Sequence, residues 1–383
     1  NDYLKTELAT IEAFDASDIN QIPISPTINY ISSSDLSNNT SLFTELDYVI
    51  LNRDESSVEN PSENYIFNFN NYYIHNIKRN NLYIFNKISS FNSINSYKFE
   101  HNRNLDRQEN YHSLILSSDI HINLNHNIKP RIKLIQFNDL VSSEEIINED
   151  SNSVSFNYSN QFSDKRFFGN DLTDNTSRVV YGIENDIEIV DQNFKLNINQ
   201  SYDFNKNNNF TNKINQNSNF SDYSLELGTL YKNLNIGLDM RLNESTFSRK
   251  EMNYSLTIDS PLNIEINYHE TDKQSYNGLS DDSKFLGYSV SKKINDNVEI
   301  SYGSKLDLKN NFSPYKEGLS LNLSDECSNL NIKYSNTRFN DDYNTSPEEI
   351  ISITFSMDYL GFFGYEQKTD LLFKQPGNIN YGL

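Results

Sequence analysis

The sequence contains no long hydrophobic run. No stretch of about 18 consecutive apolar residues occurs, which is the length that a membrane-spanning helix requires. A role in a membrane would therefore have to use β-strands, whose backbone groups are satisfied by neighbouring strands. Only 36% of the 383 residues are hydrophobic, yet 25 tyrosines and 24 phenylalanines are present. That aromatic content excludes a disordered chain, and the length suits several ordinary domains or one large β architecture.

Positive charge is scarce. Lysine and arginine together number 32 against 53 aspartates and glutamates, which gives a net charge of -21. Nucleic-acid binding requires clustered basic side chains that replace the counterions of the phosphates. We therefore expect no nucleic-acid partner, and we expect partners that are neutral, cationic or bridged by metal ions.

Cysteine and histidine are also scarce. Cys327 is the one cysteine, so no zinc site built on paired cysteines is present. His121 and His126 lie at odd spacing on a predicted strand and face opposite sides of it. There is no G-x-S-x-G motif, and the histidines have no evident serine or aspartate partner. The sequence thus predicts no enzyme, no cofactor and no metal site.

What the sequence does contain is strand-like alternation, which is clearest from residue 178 onward. In the segment RVVYGIENDIEIV, Val179, Tyr181 and Ile183 would lie on one strand face, with Glu184 and Glu188 on the other. A helix is excluded because residues two apart would fall on opposite helix faces. Before residue 143 the alternation is looser and predicts strands at Asp2 to Phe14, Ile22 to Tyr30, Leu42 to Leu51, Tyr65 to Ile77, Leu82 to Ile88, Ser113 to Leu124 and Pro130 to Phe137.

The connections between these strands alternate between short and long. The short ones include Val190 to Asn193, Lys232 to Asn233, Asp259 to Pro261 and Ser324 to Asn329, whereas Asn205 to Phe220, His269 to Lys284 and Ser335 to Glu349 are long. Outer-membrane barrels place short turns in the periplasm and long loops outside the cell, and about 9 to 11 tilted residues cross the bilayer. The pattern therefore predicts an all-β, antiparallel transmembrane β-barrel.

The same alternation predicts the topology. The strand that begins at Arg178 would descend to the periplasm, residues 144–176 would form a long extracellular loop, and residues 1–360 would belong to the barrel. Ile350 to Tyr359 would be the last strand, followed by residues 361–383 as a periplasmic tail. Cys327 would lie on a short turn in the oxidising periplasm, which favours a disulfide with a cysteine outside this chain.

Three stretches resemble one known family. The first contains Asn148, Glu149, Asp150 and Ser151, then Arg166-Phe167, Gly169 and Asp171, then Ser177-Arg178-Val179 and Tyr181-Gly182. The second contains Asp325-Glu326-Cys327, then Ser346-Pro347 and a strand ending at Leu360-Gly361, and the third is Ile22-Pro23 to Pro26 with Asn29-Tyr30. Together these stretches resemble the LptD (OstA) family of lipopolysaccharide-assembly proteins.

The resemblance implies an outer-membrane protein that inserts lipopolysaccharide into the outer leaflet through a lateral gate. The implied partners are lipopolysaccharide, outer-membrane lipids, an LptE-like lipoprotein plug in the lumen and an LptA-like periplasmic bridge. The bridge would be reached through an N-terminal jellyroll domain. Because the chain begins at Asn1 without a leader, we expect that domain and the first strands to lie outside it.

The resemblance also assigns roles to residues. It implies that Cys327 pairs with a cysteine of the jellyroll, and that the loop carrying Arg166 and Phe167 folds inward toward the plug. It further implies that the last strand forms one side of the lateral gate, with gate residues Ile351, Ile353, Phe355 and Met357.

Three other interpretations remain open. A generic porin or substrate channel explains the strands and loops equally well, but it does not explain the signature stretch or the position of Cys327. A barrel-embedded enzyme lacks a catalytic constellation. A soluble adhesin of β-rich repeats lacks a fixed repeat period.

Overall fold

The structure, a computed structural model, describes most of the chain. The described residues are 2–7, 24–52, 61–99, 105–124, 128–141, 152–153, 157–164, 166–168, 176–189, 192–205, 219–272, 282–309, 312–338, 348–357 and 361–368. Side-chain statements below are restricted to this part of the chain. None of its helices has the length and apolar character needed to cross a membrane.

The described residues form β-strands and one short helix. The strands are β1 Asp2–Glu7, β2 Ile24–Ser37, β3 Thr40–Asn52, β4 Glu63–Arg79, β5 Leu82–Lys98, β6 Arg107–Ile122, β7 Ile128–Val141, β8 Asn152–Ser153, β9 Phe167–Phe168, β10 Arg178–Ile189, β11 Gln192–Asp203, β12 Tyr223–Tyr231, β13 Leu234–Leu242, β14 Arg249–Ile258, β15 Leu262–Thr271, β16 Ser283–Asn295, β17 Val298–Asp307, β18 Ser313–Ser324, β19 Ser328–Thr337, β20 Glu348–Met357 and β21 Gly361–Lys368. The helix α1 is Tyr158–Gln161. The all-β antiparallel fold is confirmed.

The predicted strands before residue 143 are present where the structure describes them, and several are longer than expected. Residues 8–14 of the first predicted strand and residues 22–23 of the second lie outside the described residues. β5 was expected to end at Ile88 and extends to Lys98, and β6 begins at Arg107 rather than Ser113. At 17 and 16 residues, these strands exceed the roughly 9 to 11 residues that cross a bilayer. Residues such as Asn92 and Ser96 pair along the ladder without the apolar alternation on which the prediction depended.

Connection length alternates between short and long from β2 to β21 in chain order, with the two-residue strands β8 and β9 lying inside one long connection. The short connections are residues 38–39, 80–81, 123–127, 190–191, 232–233, 259–261, 296–297, 325–327 and 358–360. Each connection between two of these, such as 53–62, 142–177 or 338–347, is longer than the short connection on either side of it. Since paired strands run antiparallel, the short connections among β2–β7, β10 and β11 lie at one end of those strands, and the short connections among β15–β21 lie at one end of theirs.

The chain divides into two compact units. Unit 1 comprises residues 1–227, 239–251 and 274–279, and unit 2 comprises residues 228–238, 252–273 and 280–383. In unit 1, strands β1 to β7 pair each with the next, and β7 then pairs with β10 and β10 with β11. In unit 2, strands β15 to β21 pair in chain order.

The register in unit 2 separates polar from apolar side chains. Leu319 of β18 lies opposite Tyr302 of β17 and Tyr334 of β19, and Tyr334 lies opposite Ile351 of β20. One residue along, Ser320 lies opposite Ser301 and Lys333. Because neighbouring side chains of a strand point to opposite faces, one face is apolar and the other carries hydroxyl, amide and charged groups.

Burial in the described residues is the reverse of that in an ordinary water-soluble protein. Buried positions are mostly polar and include the fully buried side chains of Arg166, Arg178 and Arg241. Large apolar side chains are exposed instead, for example Leu319 at 51% and Leu134 at 49%. A contiguous exposed apolar surface indicates contact with lipid or a partner, and polar-in, apolar-out strands are typical of outer-membrane barrels.

The prediction of a tail from residue 361 onward is wrong for residues 361–368. These residues form β21, which pairs antiparallel with β20 from Met357↔Gly361 to Ile350↔Lys368. β20 is therefore not the last strand, contrary to expectation. The prediction considered only the side of the membrane on which the chain would end, and connection length does not decide whether an eight-residue segment pairs with its neighbour.

Candidate functional site

A short segment of the long connection between β7 and β10 packs on the polar face of unit 1. It consists of residues 157–164 and 166–168 and is called the docked segment below. Its helix α1 is stabilised by a capping box, in which the Asn160 backbone N–H donates to Asn157 Oδ1 at 2.9 Å and the Asn157 N–H donates to Asn160 Oδ1 at 2.8 Å. The cap satisfies helix N–H groups that a helix this short leaves open.

Two aromatic side chains attach the docked segment to the sheet. Tyr158 and Phe162 contact each other edge to face, with ring centroids 5.8 Å apart. The Arg131 guanidinium lies 3.9 Å from the Phe162 ring centroid, in a cation–π contact. Both rings belong to a buried apolar cluster with strand residues Phe91, Tyr111, Ile115, Ile135 and Val180. This cluster is a small apolar core on an otherwise polar face.

A buried ion pair joins the docked segment to the end of β11. Arg166 Nη2 donates to Asp203 Oδ2 at 2.8 Å, and Nη1 donates to Oδ1 at 3.2 Å. The two side chains are 0% and 1% exposed. Removing two charges from water is costly, and only a close, hydrogen-bonded geometry such as this bidentate pair offsets the cost.

A second ionic contact lies at Asp164. Its carboxylate lies 2.8 Å from Lys133 Nζ and 2.9 Å from Lys87 Nζ. Burial opposes ionisation of Asp164, but the two ammonium groups outweigh burial and lower its pKa to about 2. Lys133 also donates to the Phe162 carbonyl at 2.6 Å. Lysines of β5 and β7 thereby bind the same turn of the docked segment.

Strands β10 and β11 supply further contacts. Arg178, the first residue of β10, donates to the carbonyls of Ser163 and Asp164. Asn199 Nδ2 donates to the Tyr158 carbonyl at 2.7 Å, and the Tyr158 hydroxyl donates to Glu184. Burial and the neighbouring Glu184 carboxylate raise the pKa of Tyr158, which keeps the phenol protonated as a donor.

The docked segment also contacts the start of β12 and the residue before it. Gln161 Nε2 donates to the Asp222 carbonyl at 3.2 Å and to Ser224 Oγ at 3.1 Å. The Asp222 carboxylate accepts hydrogen bonds from Lys250 Nζ at 2.8 and 3.0 Å. Burial raises the pKa of Asp222 to about 6 despite Lys250 and Arg241 nearby. Asp222 therefore titrates close to neutral pH.

The structure places only some of the predicted site residues. Arg166 is buried in the ion pair, and Phe167 lies in β9, whose backbone pairs with Ser153 of β8. Cys327 is an exposed free cysteine on the connection between β18 and β19. Asn148, Glu149, Asp150, Ser151, Gly169 and Asp171 lie outside the described residues. Ile351, Ile353, Phe355 and Met357 lie in β20.

Sequence reasoning missed the partners of the docked segment. Lys87, Lys133 and Asp203 each lie on a strand face shared with other polar residues, and nothing in the local sequence distinguishes them. The one feature of the sequence that could have indicated these partners is a charged residue on the polar face of a strand close to a long connection. Among the described residues no group of three or more potential metal ligands is present, and the expectation of no metal remains a prediction.

Comparison with known proteins identifies a family match. Residues 71–298 match the family model described as LptD: LPS transport system D, a span of more than half of the 383 residues. No curated protein matches the sequence of this chain.

Solved structures show a similar fold at low sequence identity. The ferric enterobactin receptor PfeA of Pseudomonas aeruginosa aligns with a TM-score of 0.51 and 9% identity, over 92% of this chain and 64% of the receptor. The siderophore receptor PirA of Acinetobacter baumannii aligns with a TM-score of 0.49 and 8% identity, over 88% of this chain and 65% of the receptor. The chain thus spans slightly less than two thirds of these receptors. The likeness to PfeA shows the fold alone, that of outer-membrane β-barrel receptors.

Proposed function

The chain belongs to the LptD family of lipopolysaccharide transport and lies in the Gram-negative outer membrane as part of a β-barrel; on this premise we propose that it inserts lipopolysaccharide into the outer leaflet. In the proposal the hydrated saccharide moves along the polar faces of the sheet while the acyl chains leave sideways through an opening between strands. Such an opening requires locally weak pairing, because a complete ladder satisfies every backbone group.

The observation that carries the proposal is the opposite polarity of the two sheet faces. In unit 2 the apolar row containing Leu319, Tyr334 and Ile351 alternates with the polar row containing Ser320, Lys333 and Ser352. We place the apolar row against lipid and the polar row against the aqueous interior of the barrel. A glycolipid has one part suited to each environment.

The polar face of unit 2 has space for a hydrated ligand. A cavity of about 580 Å³ is lined by hydroxyl, amide and carboxylate side chains, including Ser291, Ser301, Ser320, Asn322, Thr354 and Glu299. Hydroxyl and amide groups both donate and accept hydrogen bonds. Such a lining suits a saccharide without requiring one particular sugar.

The docked segment has a structural role in the proposal. Its buried ion pair with Asp203 and its contacts with Lys87 and Lys133 hold it on the polar face of unit 1. We propose that it narrows the interior on that side and forms part of the surface that an LptE-like lipoprotein plug contacts. An LptA-like bridge would reach the barrel through parts of the protein outside this chain.

The orientation follows from connection length. We place the short connections, including the one that carries Cys327, in the periplasm and the long ones outside the cell, as in other outer-membrane barrels. Cys327 is then exposed in an oxidising compartment. We propose that it forms a disulfide with a cysteine of the periplasmic domain.

Depletion of the protein tests the proposal against a channel function. We expect newly made lipopolysaccharide to accumulate inside the cell and to decline at the surface, with uptake of small solutes unaffected at first. Surface lipopolysaccharide is measured with an antibody on intact cells, and solute uptake with a radiolabelled sugar. Normal lipopolysaccharide delivery together with reduced uptake would favour the porin.

A further inference from the structure

Two lysines face each other on the polar face of unit 2. Lys305 of β17 lies directly opposite Lys316 of β18, close to the connection between these strands. Like charges directly opposite each other on neighbouring strands are destabilising. Their pairing is notable in a chain whose net charge is -21, because carboxylates are far more numerous than ammonium groups.

Neither lysine has an anionic partner in the part of the chain that the structure describes. Among the described residues, no carboxylate lies within ion-pair distance of Lys305 or Lys316, although many other lysines have one. In unit 1, for example, Lys87 and Lys133 both contact Asp164. The pair in unit 2 has the same kind of cationic groups without the anion.

A β-bulge brings an aromatic ring to the pair. The register between β17 and β18 shifts after Lys305, which leaves Tyr315 as the extra residue. Bulges redirect a side chain and occur frequently next to functional sites. The Tyr315 and Phe285 rings meet with centroids 5.4 Å apart, and Lys305 Nζ lies 4.9 Å from the first centroid and 4.2 Å from the second. The ammonium group thus lies beside both rings.

No side chain projects beside Lys305 at the facing position of β16. The residue opposite it on β16 is Gly287, where a Cβ would meet only ordinary contacts, the nearest 3.7 Å away. The backbone therefore does not require glycine at this position. What glycine provides is an unoccupied surface next to the ammonium group and the Phe285 ring.

We propose that Lys305 and Lys316 bind a phosphoryl group of a phosphorylated saccharide. Two ammonium groups neutralise the phosphate with charge-assisted hydrogen bonds. The sugar ring attached to the phosphate lies over Gly287 with its C–H face against Phe285. The inference rests on the proposed function, since it names the part of the glycolipid that this end of the polar face holds.

A local crosslink measures occupancy of this site. A photoreactive phenylalanine replaces Asn267, which is exposed and lies opposite Gly287 on β15. The intact outer-membrane protein in detergent is mixed with purified lipopolysaccharide or with the same lipopolysaccharide after chemical dephosphorylation, and crosslink yield is measured. Inorganic phosphate is added as a competitor to separate a general anion site from one that requires the saccharide.

The variants separate charge from packing. We expect the Lys305→Gln, Lys316→Gln double variant to lower the yield roughly tenfold or more, and Lys305→Arg with Lys316→Arg to retain most of it. Gly287→Gln, which fills the open surface without changing charge, should lower the yield as well. The matched control is Lys292→Gln with Lys293→Gln, a pair of exposed lysines at the other end of β16, and its yield should be unchanged.

The results that overturn the inference differ from those that overturn the proposed function. Equal yields with phosphorylated and dephosphorylated lipopolysaccharide, or an unchanged yield in the double glutamine variant, would show that the lysines bind no phosphoryl group. Full competition by millimolar inorganic phosphate would reduce the site to a general anion site and overturn the saccharide assignment. Lipopolysaccharide delivery on depletion is measured separately, and its outcome decides the proposed function alone.

Discussion

Arg166 and Asp203 form a bidentate ion pair that is closed to solvent, with Nη2 2.8 Å from Oδ2. The two residues lie 37 positions apart, one in the docked segment and one at the end of β11. Their contact holds the docked segment on the sheet, and each of the two side chains can be substituted separately to test this.

Replacing one partner of this pair should detach the docked segment. Arg166→Met or Asp203→Asn leaves a buried charge uncompensated, a cost of about 3–5 kcal/mol, whereas the double variant should recover part of the loss. Limited proteolysis within residues 157–168 and thermal unfolding in detergent measure the effect. The control is Lys98→Met, which breaks an exposed pair with Glu63 whose side chains are 54% and 39% exposed, and it should change neither measurement. If the two single variants change proteolysis and thermal unfolding no more than Lys98→Met does, the ion pair does not hold the docked segment.

Acid should release the docked segment through Asp164. The pKa of this carboxyl is lowered from 3.8 to about 2, so the docked state binds the proton more weakly than the free segment. Ionised Asp164 stabilises the docked state by roughly 2 kcal/mol. This stabilisation is complete above about pH 4 and is lost as the pH falls toward 2. Proteolysis with an acid-active protease across this range should show the transition in the wild type, and Asp164→Asn should abolish it. An identical pH profile in the variant would exclude Asp164 as the cause.

Asp222 should make the protein less stable as the pH rises, the opposite of the effect of Asp164. Burial raises its pKa from 3.8 to about 6, so the folded state favours the proton, and stability due to this group falls as the pH rises from about 4 to 6. The change amounts to roughly 2 to 3 kcal/mol. Unfolding of the wild type and of Asp222→Asn is compared at pH 4, 5, 6 and 7. Between pH 4 and 6 the stability of the variant should fall less than that of the wild type. If the two proteins show the same dependence of stability on pH, Asp222 is not the cause.

The two faces of β18 should respond differently to charge. Leu319 is 51% exposed and lies on the proposed lipid face, where an arginine costs about 2–4 kcal/mol near the bilayer midplane. Leu319→Arg should therefore lower the yield of folded, heat-modifiable protein in the outer membrane. Asn322→Arg, on the polar face of the same strand and opposite Glu299, is the matched control and should fold normally. Equal tolerance of both substitutions would exclude lipid contact at Leu319.

Cys327 should be oxidised in the intact protein. It is exposed on a short connection and has no second cysteine in this chain, so any disulfide joins it to another segment or protein. Non-reducing electrophoresis of the full-length protein should show a mobility shift that Cys327→Ser removes. A thiol that reacts fully with maleimide in unreduced cells would contradict the disulfide.

Much of the fold follows from local sequence. Where the two faces of a strand differ in polarity, apolar and polar residues alternate along its sequence. The strands after residue 178 could therefore be predicted from this alternation. β5 beyond Ile88 could not, because aromatic and polar residues share one face there: Phe91 and Tyr97 are buried together with Ser93 and Asn95.

The site was less accessible to prediction than the fold. Arg166 was singled out by its resemblance to a family motif, but its partner Asp203 depends on a long-range contact that no local pattern encodes. The strand β21 was missed for a related reason. Its pairing with β20 depends on contacts between the two strands, which connection length does not predict.

Capture of lipopolysaccharide on the polar face tests the central claim most directly. A photoreactive residue is placed at Asn331, which lines the cavity in unit 2, and newly made lipopolysaccharide is pulse-labelled in living cells before irradiation. We expect a crosslink to labelled lipopolysaccharide that appears during transport and disappears when transport energy is removed. Absence of any lipopolysaccharide crosslink at Asn331, in cells that continue to deliver lipopolysaccharide to their surface, would contradict it.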